Sequence, residues 1–209
     1  MGDARHLVAF IVAGLLLNLT PGPDVLYIVA RSTSQGRWAG ILSALGVGAG
    51  CLVHIAAAAL GLSALLLELP AAYQVVRWGG ALYLVWLGVR AWRQPGGIAE
   101  LGALSPQPLR RVFLQGLLTN VLNPKVALFF IAFLPQFTDP ARGGLGLQFV
   151  GLGLIFDFNA TLVNVAYALL ASRLGDWMRA RLGASRLLNR LTGGLFVGLG
   201  VRLMFAERR

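Results

Sequence analysis

The stretch NLTPGPDVLYI, residues 18–28, places an asparagine, two prolines, a glycine and an aspartate inside an apolar run that extends from residue 7 to residue 30. Pro21 and Pro23 have no backbone N–H, and the ring of Pro23 clashes with the carbonyl of Leu19. The sequence therefore predicts an interrupted helix. In hydrocarbon, backbone groups freed by such a break cost several kcal/mol each unless something binds them. We expect the break to lie near mid-membrane and to face the interior of a helix bundle or a wet cavity.

The composition is typical of a polytopic membrane protein. Of 209 residues, 57% are hydrophobic and 12% are charged, which is about half the charged fraction of a soluble domain, and the mean hydropathy is +0.72. The net charge of +10 arises from arginines that lie mostly at the ends of apolar blocks. We interpret them as topogenic charges that contact lipid headgroups, and we predict no nucleic-acid partner. The sequence has no Walker loop, CxxC or HExxH pattern, so we predict no cofactor and no metal.

Six apolar blocks approach the roughly 20 residues that a spanning helix needs. The predicted fold is an all-α integral membrane protein with six transmembrane helices, at about residues 7–30, 39–67, 71–91, 112–135, 146–171 and 187–206. We expect one domain over residues 1–209. It consists of a first repeat at about 1–92, a loop at about 93–111 and a second repeat at about 112–209.

The two halves match at an offset of 101 residues. In TNVLNPKVALFF, residues 119–130, Pro124 falls on Pro23 and Lys125 falls on Asp24. Proline again predicts a broken helix, so helices one and four should both be interrupted. Broken helices at corresponding places of two halves are the best sequence indication of a transporter's central site.

A second match supports the repeat. The phrase LGVR occurs at residues 87–90 in the third block and at residues 199–202 in the sixth block. Three helices per half is an odd number, so the second half enters the membrane from the opposite side. The sequence therefore predicts two inverted three-helix repeats, a common plan of secondary transporters.

Ionisable side chains lie well inside the apolar blocks at Asp24, Lys125, Asp157 and His54. An ionisable group at this depth costs about 2.5–3.5 kcal/mol on insertion scales, so it usually marks a substrate or proton path. Purely structural roles stay open: a salt bridge for the first two, a polar patch for Asp157 and packing for His54. We predict that Asp24 and Lys125 pair with each other in the empty site. The candidate substrate-binding residues are Asn18, Pro21, Gly22, Pro23, Asp24, Asn120, Asn123, Pro124, Lys125 and Asp157.

Three long stretches, residues 20–50, 77–93 and 113–137, resemble the LysE/RhtB superfamily of bacterial amino-acid exporters. The family's PGPD motif maps onto residues 21–24, and its NPK motif onto residues 123–125. The resemblance implies a six-helix inner-membrane protein that exports amino acids or their derivatives and is driven by the proton gradient. The similarity is greater to the homoserine and threonine branch than to the lysine branch.

Secondary amino-acid export is the leading function, with an amino-acid substrate, protons and membrane lipid as partners. An exporter of basic amino acids and a passive small-solute channel without proton coupling are the alternative transporters. A membrane enzyme would need a nucleophile–base pair or a metal cluster, which His6 and His54 do not supply. A purely structural protein would not explain charges at both breaks. Glycine pairs such as Gly46 and Gly50 predict close helix packing and are compatible with a homodimer.

Arginine counts predict the orientation. The links after spans one, three and five share one side and carry more arginines than the other side, so they should face the cytoplasm. Both termini should then lie in the periplasm of a bacterial inner-membrane protein. A topology reporter fused at Arg209 should give a periplasmic signal, and one inserted at Glu100 a cytoplasmic signal. A cytoplasmic signal at Arg209 would contradict the orientation or the span count. The arginines assigned to the cytoplasmic side are Arg31, Arg37, Arg90, Arg93, Arg110, Arg111, Arg173, Arg179, Arg181, Arg186 and Arg190.

Overall fold

The computed structural model describes residues 4–62 and 105–184 continuously, and isolated positions within 74–93 and 190–201. All regular structure among these residues is helical. Short π-helical and 3-10 turns follow α3 and α5, at Ala58–Leu62, Phe129–Phe133, Leu134–Phe137 and Pro140–Arg142. The α-helices are α1 (Ala4–Leu19), α2 (Pro23–Gln35), α3 (Arg37–Ala57), α4 (Leu109–Val121), α5 (Pro124–Leu128) and α6 (Leu145–Ala184).

Both predicted helix breaks are confirmed. The chain bends by 51° between α1 and α2, and by 44° between α4 and the segment Pro124–Phe137. In each break the second helix begins on a proline, Pro23 or Pro124. Proline suits the first helical position because the N–H that it lacks would have no intrahelical partner there.

The described helices account for four of the predicted spans. Arg37–Leu62 has 26 residues and Leu145–Leu174 has 30 residues, and both exceed the roughly 20 needed to cross a bilayer. Each bent pair supplies one further candidate span. These segments are apolar enough for an integral membrane protein. The predicted spans at 71–91 and 187–206 lie largely outside the described residues, so the count of six and the inverted arrangement stay predictions.

Helix α3 is the centre of the packing, with α2, α4 and α6 against it. Gly46 and Gly50 allow α4 to approach closely, because a Cβ atom at Gly46 would overlap the carbonyl oxygen of Phe113. Gly116 on α4 is equally close to the carbonyl of Ser43. The predicted close glycine packing is therefore confirmed, and it joins helices of one chain. It also brings the end of α4 beside the first break.

An aromatic cluster fills the interior between α1, α6 and the turns that follow α5. Phe129 and Phe156 stack with ring centroids 4.2 Å apart, and Phe10 contacts both Phe129 and Phe137. The rings of Phe10, Phe129 and Phe156 are almost fully buried. This cluster holds α1, α6 and the segment after α5 together, and Phe156 also borders the central cavity.

Candidate functional site

The first break is closed by a lysine from the second half. Pro21 leaves the carbonyl of Leu17, four residues earlier, without its helical N–H. The ammonium group of Lys125 donates to this carbonyl at 3.1 Å and to the carbonyl of Thr20 at 3.0 Å. Gly22 makes room for the lysine, because a Cβ atom at this position would lie 3.3 Å from Nζ. A charged side chain thus supplies the hydrogen bonds that the prolines remove from the backbone.

A tyrosine on α6 binds the second carbonyl that proline frees. Pro23 leaves Leu19 without a helical partner, and the hydroxyl of Tyr167 donates to the Leu19 carbonyl at 2.9 Å. Both proline-freed carbonyls of the first break therefore have a side-chain donor from the second half of the chain.

The second break is closed by a histidine from the first half. Pro124 frees the carbonyl of Asn120, which accepts a bond of 2.8 Å from the N–H of Asn123. Nε2 of His54 lies 3.0 Å from the same carbonyl oxygen. Since a carbonyl oxygen only accepts, Nε2 of His54 is assigned as the protonated nitrogen. The His54 ring also stacks on Phe130, with centroids 5.9 Å apart.

Asp24 receives two side-chain amides from the second break. Its Oδ2 atom accepts from Nδ2 of Asn120 at 2.9 Å and from Nδ2 of Asn123 at 2.8 Å. Asn123 also caps α5, because its Oδ1 atom accepts from the N–H of Lys125 at 3.0 Å. The carboxylate of one half therefore fixes the polar side chains at the break of the other half.

The predicted ion pair between Asp24 and Lys125 is wrong for this structure. Both side chains border the same cavity, but they form no salt bridge with each other. The physical reason is that each charge has another set of partners. Lys125 donates to the free carbonyls of the first break, and Asp24 accepts from the two asparagines of the second break.

A small cavity lies between the two breaks. Its volume is about 20 Å³, which is room for about one water molecule. Side chains from α1, α2, α3, α4, α5 and α6 all contribute to its wall. The lining residues are Asn18, Asp24, Val25, Val47, Cys51, Asn120, Lys125, Val126, Phe156, Asp157, Ala160 and Asn164.

Four buried polar atoms in this wall have no hydrogen-bond partner in the described part of the chain. They are Nδ2 of Asn18 and the Oδ1 atoms of Asp24, Asn120 and Asp157. A buried polar atom without a partner costs about 1–3 kcal/mol. Three acceptors and one donor around one cavity form a wall that can bind a polar ligand, with the acceptors suited to a cation and the donor to an anion.

The cavity gathers half of the candidate site residues. Asn123 lies behind the wall and binds Asp24, and Gly22 contacts the lysine side chain. The three prolines shape the backbone around the cavity. The candidates in the wall itself are Asn18, Asp24, Asn120, Lys125 and Asp157.

The sequence did not reveal the roles of two residues, one at the first break and one farther along α2. Tyr167 resembles any aromatic side chain in an apolar block, and only the packing of α6 against the first break reveals its bond to Leu19. The predicted position of Arg31 in the link after the first span is wrong. It lies within α2, its exposed fraction is 3%, and its guanidinium binds the carbonyl of Ser105 and the side chain of Gln115. Because Arg31 is buried within a helix, it does not count as a loop charge when the orientation is predicted from arginines.

Comparison with known proteins identifies the family. The model of the LysE type translocator family matches residues 15–207. The chain belongs to the LysE family. This assignment, together with the efflux names of its relatives, indicates a membrane transporter and not an enzyme.

Relatives of this LysE-family chain cover nearly its whole length. A homoserine/homoserine lactone efflux protein of Salmonella typhimurium is 31% identical over 95% of this chain and 96% of its own length. A leucine efflux protein of Enterobacter sp. is 28% identical over 93% of this chain and 92% of its own length. An uncharacterized membrane protein of Vibrio cholerae is 29% identical over 98% of this chain and 99% of its own length. No solved structure matches.

Removal of the Lys125 ammonium should destabilise the protein. Lys125→Met keeps the length of the side chain but leaves the Thr20 carbonyl without its described partner. We expect the free energy of unfolding to fall by about 1–3 kcal/mol, the usual cost of an unsatisfied buried group. Thermal unfolding of the purified protein in detergent measures this change. Arg111→Met is the control, because it also replaces a long cationic side chain by methionine, at an exposed position. Equal melting temperatures for the two variants would contradict the role given to Lys125.

Proposed function

We propose that this protein is a secondary transporter that exports a neutral amino acid or a close derivative across the bacterial inner membrane in exchange for protons. The observation that carries the proposal is the wall of the central cavity, where unpartnered polar atoms of both signs meet at two broken helices. The names of the relatives, which specify homoserine, homoserine lactone and leucine, support a neutral substrate of the homoserine or threonine type.

The wall complements both charged groups of an amino acid. An ammonium group has three donors, and Oδ1 atoms of Asp24, Asn120 and Asp157 are three acceptors without a described partner. A carboxylate needs donors, which Nδ2 of Asn18 and the ammonium of Lys125 can supply. Asp24 and Lys125 give each charge of a zwitterion an opposite charge in the wall, and the choice of a neutral amino acid rests on the names of the relatives.

The size of the cavity supports alternating access instead of an open pore. About 20 Å³ does not hold an amino acid, so the helices around the cavity must separate before a solute can enter. We propose that the halves act as inverted repeats that rock about the two breaks. The shared start of α2 and α5 on a proline, and the exchange of binding groups between the halves, support this arrangement.

Asp24 is our proposed proton carrier. One of its oxygens accepts from Asn120 and Asn123, and the other faces the cavity without a described partner. The second oxygen can therefore take a proton without disturbing the amide bonds. Proton uptake at Asp24 would remove the charge that attracts the substrate's ammonium group, which couples release of the solute to entry of the proton.

Counterflow in proteoliposomes tests this proposal. The wild-type protein should exchange labelled homoserine or leucine, and a pH gradient should drive net uphill export. Asp24→Asn keeps an oxygen for Asn120 and Asn123 but removes the charge that attracts the ammonium group, so some exchange should persist with weaker binding of the solute. The pH-driven component should fall by at least about tenfold, because the variant has no carboxylate at this position to carry the proton.

Asp139→Asn is the matched control, because Asp139 is an exposed carboxylate that binds Arg142 far from the cavity. It should leave both activities unchanged. Undiminished pH-driven export by Asp24→Asn would contradict the proton role of this residue. If the wild-type protein never moves solute against its concentration gradient, it is a passive channel. If the wild-type protein moves only lysine or arginine, it is an exporter of basic amino acids.

A further inference from the structure

A second polar cluster follows the central site along α2. Tyr27, Arg31 and Gln35 are spaced four residues apart, so they lie along one face of the helix. The Tyr27 hydroxyl donates to the Val112 carbonyl at 2.8 Å, and Nε2 of Gln35 donates to the Gln107 carbonyl at 2.6 Å. These bonds join α2 to α4 and to the segment 105–108 before it. These hydrogen bonds hold α2 against α4 between the cavity and the segment 105–108.

Arg31 is the unusual member of this cluster. Its exposed fraction is 3%, so its guanidinium group is removed from solvent. Nη1 donates to the Ser105 carbonyl at 3.0 Å, Nη2 donates to Oε1 of Gln115 at 2.9 Å, and Nε has no described partner. The group also lies 5.7 Å from the centroid of the Tyr27 ring.

The described partners of Arg31 are all neutral. A buried guanidinium normally pairs with a carboxylate or a phosphate, whose two oxygens match its fork of donors. The carbonyl and the amide occupy the outer donors of Arg31 without matching its charge. The donors are thus positioned for an anion that can displace two neutral acceptors.

The position of Arg31 relates it to the central cavity. It lies seven residues after Asp24 on nearly the same face of α2, a separation of about 10 Å along the helix axis. If the cavity opens towards the segment 105–108, α2 must move away from α4, and this movement breaks the bonds of Arg31 to Gln115 and Ser105. The guanidinium group is then free on the path that the solute follows.

We propose that Arg31 is a second binding station of the transport path, where it takes the carboxylate of the passing solute in place of Gln115 and Ser105. This inference rests on the proposed export of amino acids and adds a residue that recognises one defined group of the substrate. The two stations bind the solute in turn, because the ammonium and carboxylate groups of an amino acid are attached to the same carbon and cannot bridge the separation of about 10 Å. The carboxylate oxygens accept from the fork of Arg31 at the end of the path that α2 and α4 close.

The alternative is that Arg31 only fastens α2 to α4. A double-mutant cycle distinguishes the two roles by combining a change in the protein with a change in the ligand. The two changes in binding free energy are non-additive when the altered groups are in contact and usually add when they are distant. The ligands are L-homoserine and L-leucine, each compared with its α-carboxamide, which keeps the ammonium group and lacks the carboxylate. The measurement is the concentration of each compound that half-inhibits counterflow by the full-length protein.

In the wild-type protein, the amide should be about tenfold to hundredfold weaker than the acid, as expected for loss of charge-assisted hydrogen bonds. In Arg31→Gln, the acid should weaken by several-fold towards the level of the amide, because Lys125 and Asn18 still bind the carboxylate in the central cavity, and the amide should change less than about twofold, because it lacks the charge that the guanidinium binds. Arg31→Lys should restore part of the difference, since lysine keeps the charge without the fork. Arg37→Gln is the control, because Arg37 is exposed at the start of α3.

An unchanged ratio of acid to amide in Arg31→Gln would overturn the proposal and assign the carboxylate to Lys125 or Asn18. Equal weakening of acid and amide would also overturn it and leave Arg31 as a fastening between helices. If Arg31→Gln does not insert into the membrane, the ratio in Arg31→Lys decides, and a wild-type ratio there is the contrary result. Failure of the proposed function is distinct, because the wild-type protein would then exchange neither homoserine nor leucine.

Discussion

Three prolines each remove a hydrogen-bond donor from a backbone that crosses an apolar environment, and the architecture of the site depends on how the freed carbonyls are satisfied. In water such carbonyls would be solvated, but a membrane offers no such partner. This chain supplies Lys125, Tyr167 and His54 instead. Each donor belongs to the half that does not contain the break it closes. Each break therefore receives a side-chain donor from the other half, which ties the two breaks together at the cavity.

The same groups that close the breaks also form the binding wall. Asp24 binds Asn120 and Asn123 with one oxygen and presents the other to the cavity, while Lys125 binds two carbonyls at the cavity's edge. In the proposed transport cycle, movement of one half against the other would exchange these bonds for bonds to solute, proton or water. A carbonyl left without a donor costs about 1–3 kcal/mol, so the resting contacts are strong enough to define a closed state and weak enough for a zwitterion to replace.

Local chemistry explains what the sequence could predict. The chemistry of proline is local, so the stretches at residues 18–28 and 119–130 were sufficient to predict both breaks, and ionisable residues in apolar blocks predicted Asp24, Lys125 and Asp157 in the cavity wall. The partners could not be predicted, because they depend on how helices pack. Asp24 and Lys125 have complementary charges, yet nearer donors and acceptors satisfy both. Tyr167 and Arg31 follow no pattern along the chain, and the inverted arrangement depends on spans at 71–91 and 187–206 that lie largely outside the described residues.

The central claim is that an amino acid binds in the cavity between the two breaks, and Cys51 provides a direct test. It is the only cysteine of the chain and it lines the cavity, so the rate at which N-ethylmaleimide labels it in proteoliposomes reports access to the site. The account predicts that the transported amino acid slows labelling at the same concentrations that saturate counterflow. The control is Leu147→Cys in a Cys51→Ala background, an exposed position outside the cavity, whose labelling should not respond. Labelling of Cys51 that is unaffected by saturating solute, or slowed equally at both positions, would contradict the account.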